Sequence, residues 1–156
     1  MTTKESPGDD LKAENENGAI LPEMRIFSPS GERLYLTKDE RLSFLRAAQD
    51  EPPALRMFCQ VLHDTGCRPS EALETCPQRV LLAEGAMLFR TLKKRTHDQR
   101  GREKSPEFRA VPVTARLLEM LDLVFGIRQR QKTPGSVQTP LWDMSRSTAY
   151  RLIKRV

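Results

Sequence analysis

Nowhere in the 156 residues does an apolar run approach the roughly 18 that a membrane-spanning helix needs, so no such helix and no membrane partner are expected. Residues Met1 to Glu16 are polar and acidic and lack the apolar stretch of a secretory signal. Cysteine is scarce: Cys59, Cys67 and Cys76 make three, an odd number without metal-ligand spacing. Cys59 and Cys67 stand in apolar or tight-turn contexts, so reduced thiols in a cytoplasm are expected rather than a disulfide scaffold. The two histidines offer little. His63 lies near a helix end and reads as a packed or partly exposed residue rather than a ligand, while His97 sits in a polar loop without a carboxylate or Cys partner at metal spacing. No metal site is expected. Hydrophobic residues make up only 38% of the chain. Its length suits one compact domain with a core and is too short for two.

What the chain does have is positive charge, unevenly placed. Lys and Arg number 26 against 21 Asp and Glu, a net +5. Residues 1–40 hold five basic and nine acidic side chains. Residues 86–115 hold eight basic and three acidic, and residues 128–156 hold seven basic and one acidic. A charge run is commonly just a solvated face. Two separate basic blocks in one small domain point instead to a polyanion, because Lys and Arg on phosphates gain from counterion release.

Residues 1–23 form an acidic tail without apolar periodicity, expected to be disordered. Residues 24–36 look like an extended lead-in with a short hairpin around Pro29-Ser30-Gly31. Thr37-Lys-Asp-Glu40 has the pattern of a capping box and starts a helix that runs to about Gln49, before Pro52-Pro53. A second helix, Ala54 to Asp64, carries Leu55, Phe58, Val61 and Leu62 on one stripe and stops at Thr65-Gly66. Pro69-Ser70-Glu71 opens a third, short helix ending near Cys76-Pro77. Arg79 to Ala83 and Ala86 to Leu92 read as strands around Glu84-Gly85. A polar loop over 93–107 leads to a third strand, Phe108 to Val113. Thr114 caps a helix with Leu117, Leu118, Leu121, Val124 and Phe125 at helical spacing, stopped by Gly126. Residues 129–140 read as a linker that Trp142 anchors on the core. Ser145 or Ser147 starts a last helix, with Ala149, Leu152, Ile153 and Val156 on its apolar face. It has no stop signal, so the chain is expected to break off in mid-element. The fold class is mainly α with a small three-stranded antiparallel sheet.

Two places can carry chemistry. Arg68 lies between a helix end and a proline-started helix, where the backbone is rigid and a guanidinium can fork two phosphate oxygens. Glu71, on the same face, would hold it; the plain alternative is a surface pair of Arg68 with Glu71. The second place is Thr91-Leu92-Lys93-Lys94-Arg95, where a strand passes into a basic loop. A lysine at a hairpin tip can reach a groove and donate a proton, although edge strands also carry lysines merely to block pairing. Arg90 and Arg109 on the flanking strands would widen the basic surface. Tyr150, in the basic helix of Arg146, Arg151, Lys154 and Arg155, is expected at the rim of the core.

Taken in order, these motifs resemble a known family. Thr65-Gly66-Cys67-Arg68-Pro69-Ser70-Glu71-Ala72-Leu73 resembles the segment around the first catalytic arginine of tyrosine recombinases, the phage-integrase family. Thr91 to Arg95 followed by Phe108-Arg109-Ala110-Val111-Pro112-Val113 is similar to the family's hairpin lysine and its Arg-x-Val-Pro strand. Leu141-Trp142…Ser145-Arg146-Ser147-Thr148-Ala149-Tyr150 resembles the helix before the second half of the active site. The resemblance spans residues 37–156 and implies a partial catalytic domain over 24–156, C-terminally incomplete, that clamps double-stranded DNA at a recombination site. Other recombinase protomers on that DNA are a further implied partner. The implied chemistry is strand cleavage and rejoining through a phosphotyrosine, without metal or nucleotide cofactor. The resemblance makes Arg68 the phosphate-clamping arginine, Lys93 or Lys94 the general acid, and Glu71 the supporting carboxylate. Arg90, Arg95, Arg100, Arg102, Arg109, Arg146, Arg151 and Lys154 become DNA contacts.

The family's His-x-x-Arg motif and nucleophilic tyrosine lie downstream of the matched region, and neither is expected anywhere in this chain. The expectation is therefore a DNA-binding part of a recombinase from a mobile element, phage or plasmid, inactive alone. A non-enzymatic DNA-binding or regulatory module derived from an integrase is the alternative.

Overall fold

The computed structural model describes residues 27–91 and 105–156. The expected tail over 1–23 lies outside them. The chain divides into Met1–Lys38 and Asp39–Val156. In the first unit, Phe27 and Arg33 form an isolated antiparallel bridge. Its turn is closed by Gly31 N–H donating to Ser28 O at 2.9 Å, with Gly31 at φ 83°. This is the short hairpin expected there. The side chains of Phe27, Leu34, Tyr35 and Leu36 are exposed.

Helix α1 spans Lys38–Ala47 and tightens into a 3-10 turn over Ala48–Asp50. Helix α2, Pro53–Thr65, begins on a proline, whose missing N–H costs nothing in the first turn. It buries Met57, Phe58, Cys59 and Val61. Gly66 ends it in the left-handed conformation, φ 63°, its N–H donating to Leu62 O. Helix α3 is short, Pro69–Leu73.

Three antiparallel strands follow in the order β1-β2-β3: Val80–Leu81, Ala86–Arg90 and Phe108–Pro112. The first is shorter than expected, because Leu82 to Gly85 form the turn. The register sets Met87 opposite Val111 and Phe89 opposite Arg109. Met87 and Phe89 are fully buried, so this parity faces the core.

Helix α4, Ala115–Phe125, is capped by the Thr114 hydroxyl, which accepts from Leu117 N–H at 3.2 Å. The expected linker over 129–140 begins inside a helix instead: α5 spans Ile127–Gln131. Gly126, at φ 62°, ends α4 and at once precedes α5, so no capping side chain marks the boundary. Ile127 is fully buried. The rest of the segment is tied down by side chains. Gln131 donates to the carbonyls of Pro77 at 2.9 Å and Val80 at 2.8 Å, and Arg130 to that of Thr139 at 2.7 Å.

Helix α6, Arg146–Arg155, starts at Ser145, whose hydroxyl accepts from Thr148 N–H. It packs against α3. Trp142 fixes the segment before it: its Nε1–H donates to Ala54 O at 2.7 Å, and its ring stands edge-on to Phe58 and Phe125, 5.3 Å from each. Phe58, Phe89, Leu117, Leu121, Trp142 and Leu152 thus share one core.

Candidate phosphate-binding site

The turn from α2 into α3 is built to hold one arginine. The Thr65 hydroxyl donates to Val61 O at 2.7 Å and accepts from Cys67 N–H at 3.2 Å. Gly66 reverses the chain, and Pro69 fixes the first helical φ. Arg68 between them is extended, φ −73° and ψ 149°. Its N–H donates to Glu71 Oε2 at 2.9 Å and its Nη1 to Glu71 Oε1 at 3.2 Å. The Glu71 side chain has no exposure, whereas that of Arg68 is 51% exposed. The pair expected from the sequence exists, but its carboxylate is buried rather than on the surface.

A buried carboxylate needs more than one half-exposed partner. Arg109 supplies the rest from β3, donating through Nη1 to Oε1 at 3.1 Å and through Nη2 to Oε2 at 2.7 Å. Arg109 thus aims its guanidinium at Glu71 while its side chain stays 37% exposed. It shares the core-facing parity of Val111, and its guanidinium lies 5.5 Å from the Phe89 ring centroid. The hydrogen bonds from Arg109, ahead of those from Arg68, hold the Glu71 carboxyl down at about 2 against the opposing effect of burial. The same contact raises Arg109 above its ordinary value. Burial pushes the neighbouring Cys67 thiol up to about 11, which keeps it protonated and unreactive. Two guanidiniums on one carboxylate leave a single net positive charge, presented mainly by Arg68.

The other candidates are placed as follows. Arg90, on β2, lies 3.8 Å from Glu74, which Arg79 also approaches at 3.6 Å. Arg146 stacks over the Tyr150 ring at 5.5 Å, and Arg151 donates to the Thr148 hydroxyl at 3.4 Å. Arg146, Arg151 and Lys154 are all exposed on α6, the helix that packs on α3. Tyr150 is 42% exposed. Lys93, Lys94, Arg95, Arg100 and Arg102 lie outside the described residues. So does His97-Asp98-Gln99-Arg100, which has the letters of a His-x-x-Arg motif but precedes β3 instead of following α6. Among the described residues no group of three or more His, Cys, Asp or Glu could hold a metal ion, and no helix is long and apolar enough to cross a membrane.

With this geometry in hand, a comparison with solved structures finds the crystal structure of a XerA recombinase. The two are 21% identical with a TM-score of 0.53, over 78% of this chain and 43% of that one. The chain shares its fold with a recombinase. It spans less than half the length of that relative, and the likeness is one of fold. No protein-family model and no curated protein matches the sequence.

Proposed function

We propose that this chain is the DNA-binding part of a site-specific tyrosine recombinase, and that these 156 residues alone bind duplex DNA without cutting it. The observation that carries the reading is Arg68, held on a rigid turn by a buried carboxylate with its guanidinium half exposed. Donors fixed in advance at a phosphate stabilise the charge that grows on it in the transition state, without the cost of reorganising. Arg68 would fork the non-bridging oxygens of the scissile phosphate. Lys93 or Lys94 would give its proton to the departing 5′ oxygen as a tyrosine oxygen forms the new bond to phosphorus. Arg90, Arg146, Arg151 and Lys154, with Arg95, Arg100 and Arg102 from the sequence between β2 and β3, would track the DNA backbone. The fold shared with a recombinase supports the reading.

The nucleophile is not assigned to Tyr150. Its ring lies beside Arg146, the residue is 42% exposed on α6, and the resemblance places the family's tyrosine downstream of the matched segment. A regulatory DNA-binding module is the second reading. One experiment addresses both. The purified chain is mixed with intact and nicked duplexes of a recombination site and of random sequence, then assayed for retarded and for covalent complexes. Salt-sensitive binding without a covalent adduct is expected. Tight binding confined to one sequence favours the regulatory module. A covalent adduct contradicts the claim that the chain alone is inactive, and no binding at low salt overturns DNA binding altogether.

A further inference from the structure

Arg109 faces the core parity of its strand and aims both terminal nitrogens at Glu71, so its guanidinium is oriented by the carboxylate rather than turned out to solvent. We infer that Arg109 is a positioning residue: it locks the buried Glu71 carboxylate, and through that carboxylate it fixes the guanidinium of Arg68. The inference rests on the reading of Arg68 as a phosphate clamp, and it removes Arg109 from the set of DNA contacts.

The geometry is specific. Oε1 of Glu71 receives Nη1 from both arginines, at 3.2 Å from Arg68 and 3.1 Å from Arg109. Oε2 receives Arg109 Nη2 and the Arg68 backbone N–H. Each oxygen is therefore shared between the residue that is held and the residue that holds. Without Arg109, the carboxylate keeps only Arg68, whose side chain is half in water, and its rotamer is no longer set by a two-point fork. Lysine cannot replace that fork, because its ammonium is a single point of charge. Arg109 ties β3 to α3 across 38 residues, so the sheet itself sets where Arg68 points. The groups facing Glu71 are Arg68 and Cys67 from the turn and Arg109 from the sheet.

The test is a double-substitution cycle on the full chain, using a fixed duplex DNA, with Arg68→Ala, Arg109→Lys, Arg109→Met and the two combined variants. Arg109→Lys or Arg109→Met alone is expected to weaken binding at least five-fold. In the Arg68→Ala background the same change is expected to cost less than two-fold, because the residue it acts through is gone. Equal losses in both backgrounds would mean that Arg109 meets DNA directly, and would overturn the inference. Two readouts without DNA keep it testable if the chain binds none. The Glu71 carboxyl carbon, followed by NMR, should titrate well above the wild-type midpoint in Arg109→Lys. The Arg68 Nη1 protons should exchange faster with solvent. An unchanged Glu71 midpoint and unchanged Arg68 exchange in a folded Arg109→Lys protein overturn the positioning role, whatever DNA binding shows. Loss of DNA binding by the wild type overturns only the functional reading.

Discussion

Arg109 closes a two-point fork on Glu71 from 38 residues away, at 3.1 and 2.7 Å, and Glu71 in turn holds the backbone and side chain of Arg68. A strand, a helix and the turn that carries the exposed arginine therefore meet at one buried carboxylate. Its removal should be felt at a distance.

Replacing Glu71 by Ala leaves two arginines without their anion in a half-buried place. Breaking a fully buried pair costs about 3–5 kcal/mol. Here both arginines keep access to water, so a loss of about 2 kcal/mol is expected, read from the urea midpoint at neutral pH. Glu71→Gln retains shape and some hydrogen bonds and should lose less.

Acid should reveal the same carboxylate. Its folded value of about 2 lies below the ordinary 4.5, so it stabilises the protein above 4.5. That contribution is lost as the pH falls through 4.5 towards 2. The loss is expected to be about 2 kcal/mol, allowing for screening at the half-exposed arginines. Urea denaturation at a series of pH values checks the sign. In Glu71→Gln this part of the acid slope should vanish.

Gly66 stands at φ 63°, with open space where a Cβ would project. Alanine there meets no clash but must adopt the left-handed conformation, at a cost of about 1 kcal/mol. Gly66→Asn should cost less, since asparagine tolerates that region better. Comparison of the two by thermal unfolding separates backbone strain from crowding.

Trp142 joins the segment before α6 to α2. Trp142→Ala removes a nearly buried ring set against Phe58 and Phe125, and should cost about 3–5 kcal/mol. Trp142→Phe keeps much of the packing but loses the hydrogen bond to the Ala54 carbonyl, for about 1 kcal/mol. Denaturant unfolding of both distinguishes packing from the hydrogen bond.

Much of this was legible in the sequence because local signals agreed with the fold. Thr65-Gly66, Pro69, Thr114 and Gly126 each mark a boundary by a mechanism that acts within a few residues. Arg68 and Glu71 could be paired on spacing alone. The role of Arg109 could not, since its partner lies on another element. A signal was nonetheless present: Arg109 shares the strand parity of Val111, and an arginine on an apolar face requires a carboxylate beneath it. Helix α5 was hidden for a different reason. Gly126 serves both sides of the boundary, and Ile127 is the buried residue that sets α5 against the core.

The central claim is that Arg68 grips a DNA phosphate. It is tested most directly by the affinity of the chain for a duplex, measured over a range of salt concentrations for the wild type and Arg68→Ala. The logarithm of the binding constant should fall linearly with the logarithm of salt, and the slope should be smaller by about 1 in Arg68→Ala. An identical slope and affinity in the two proteins would contradict it.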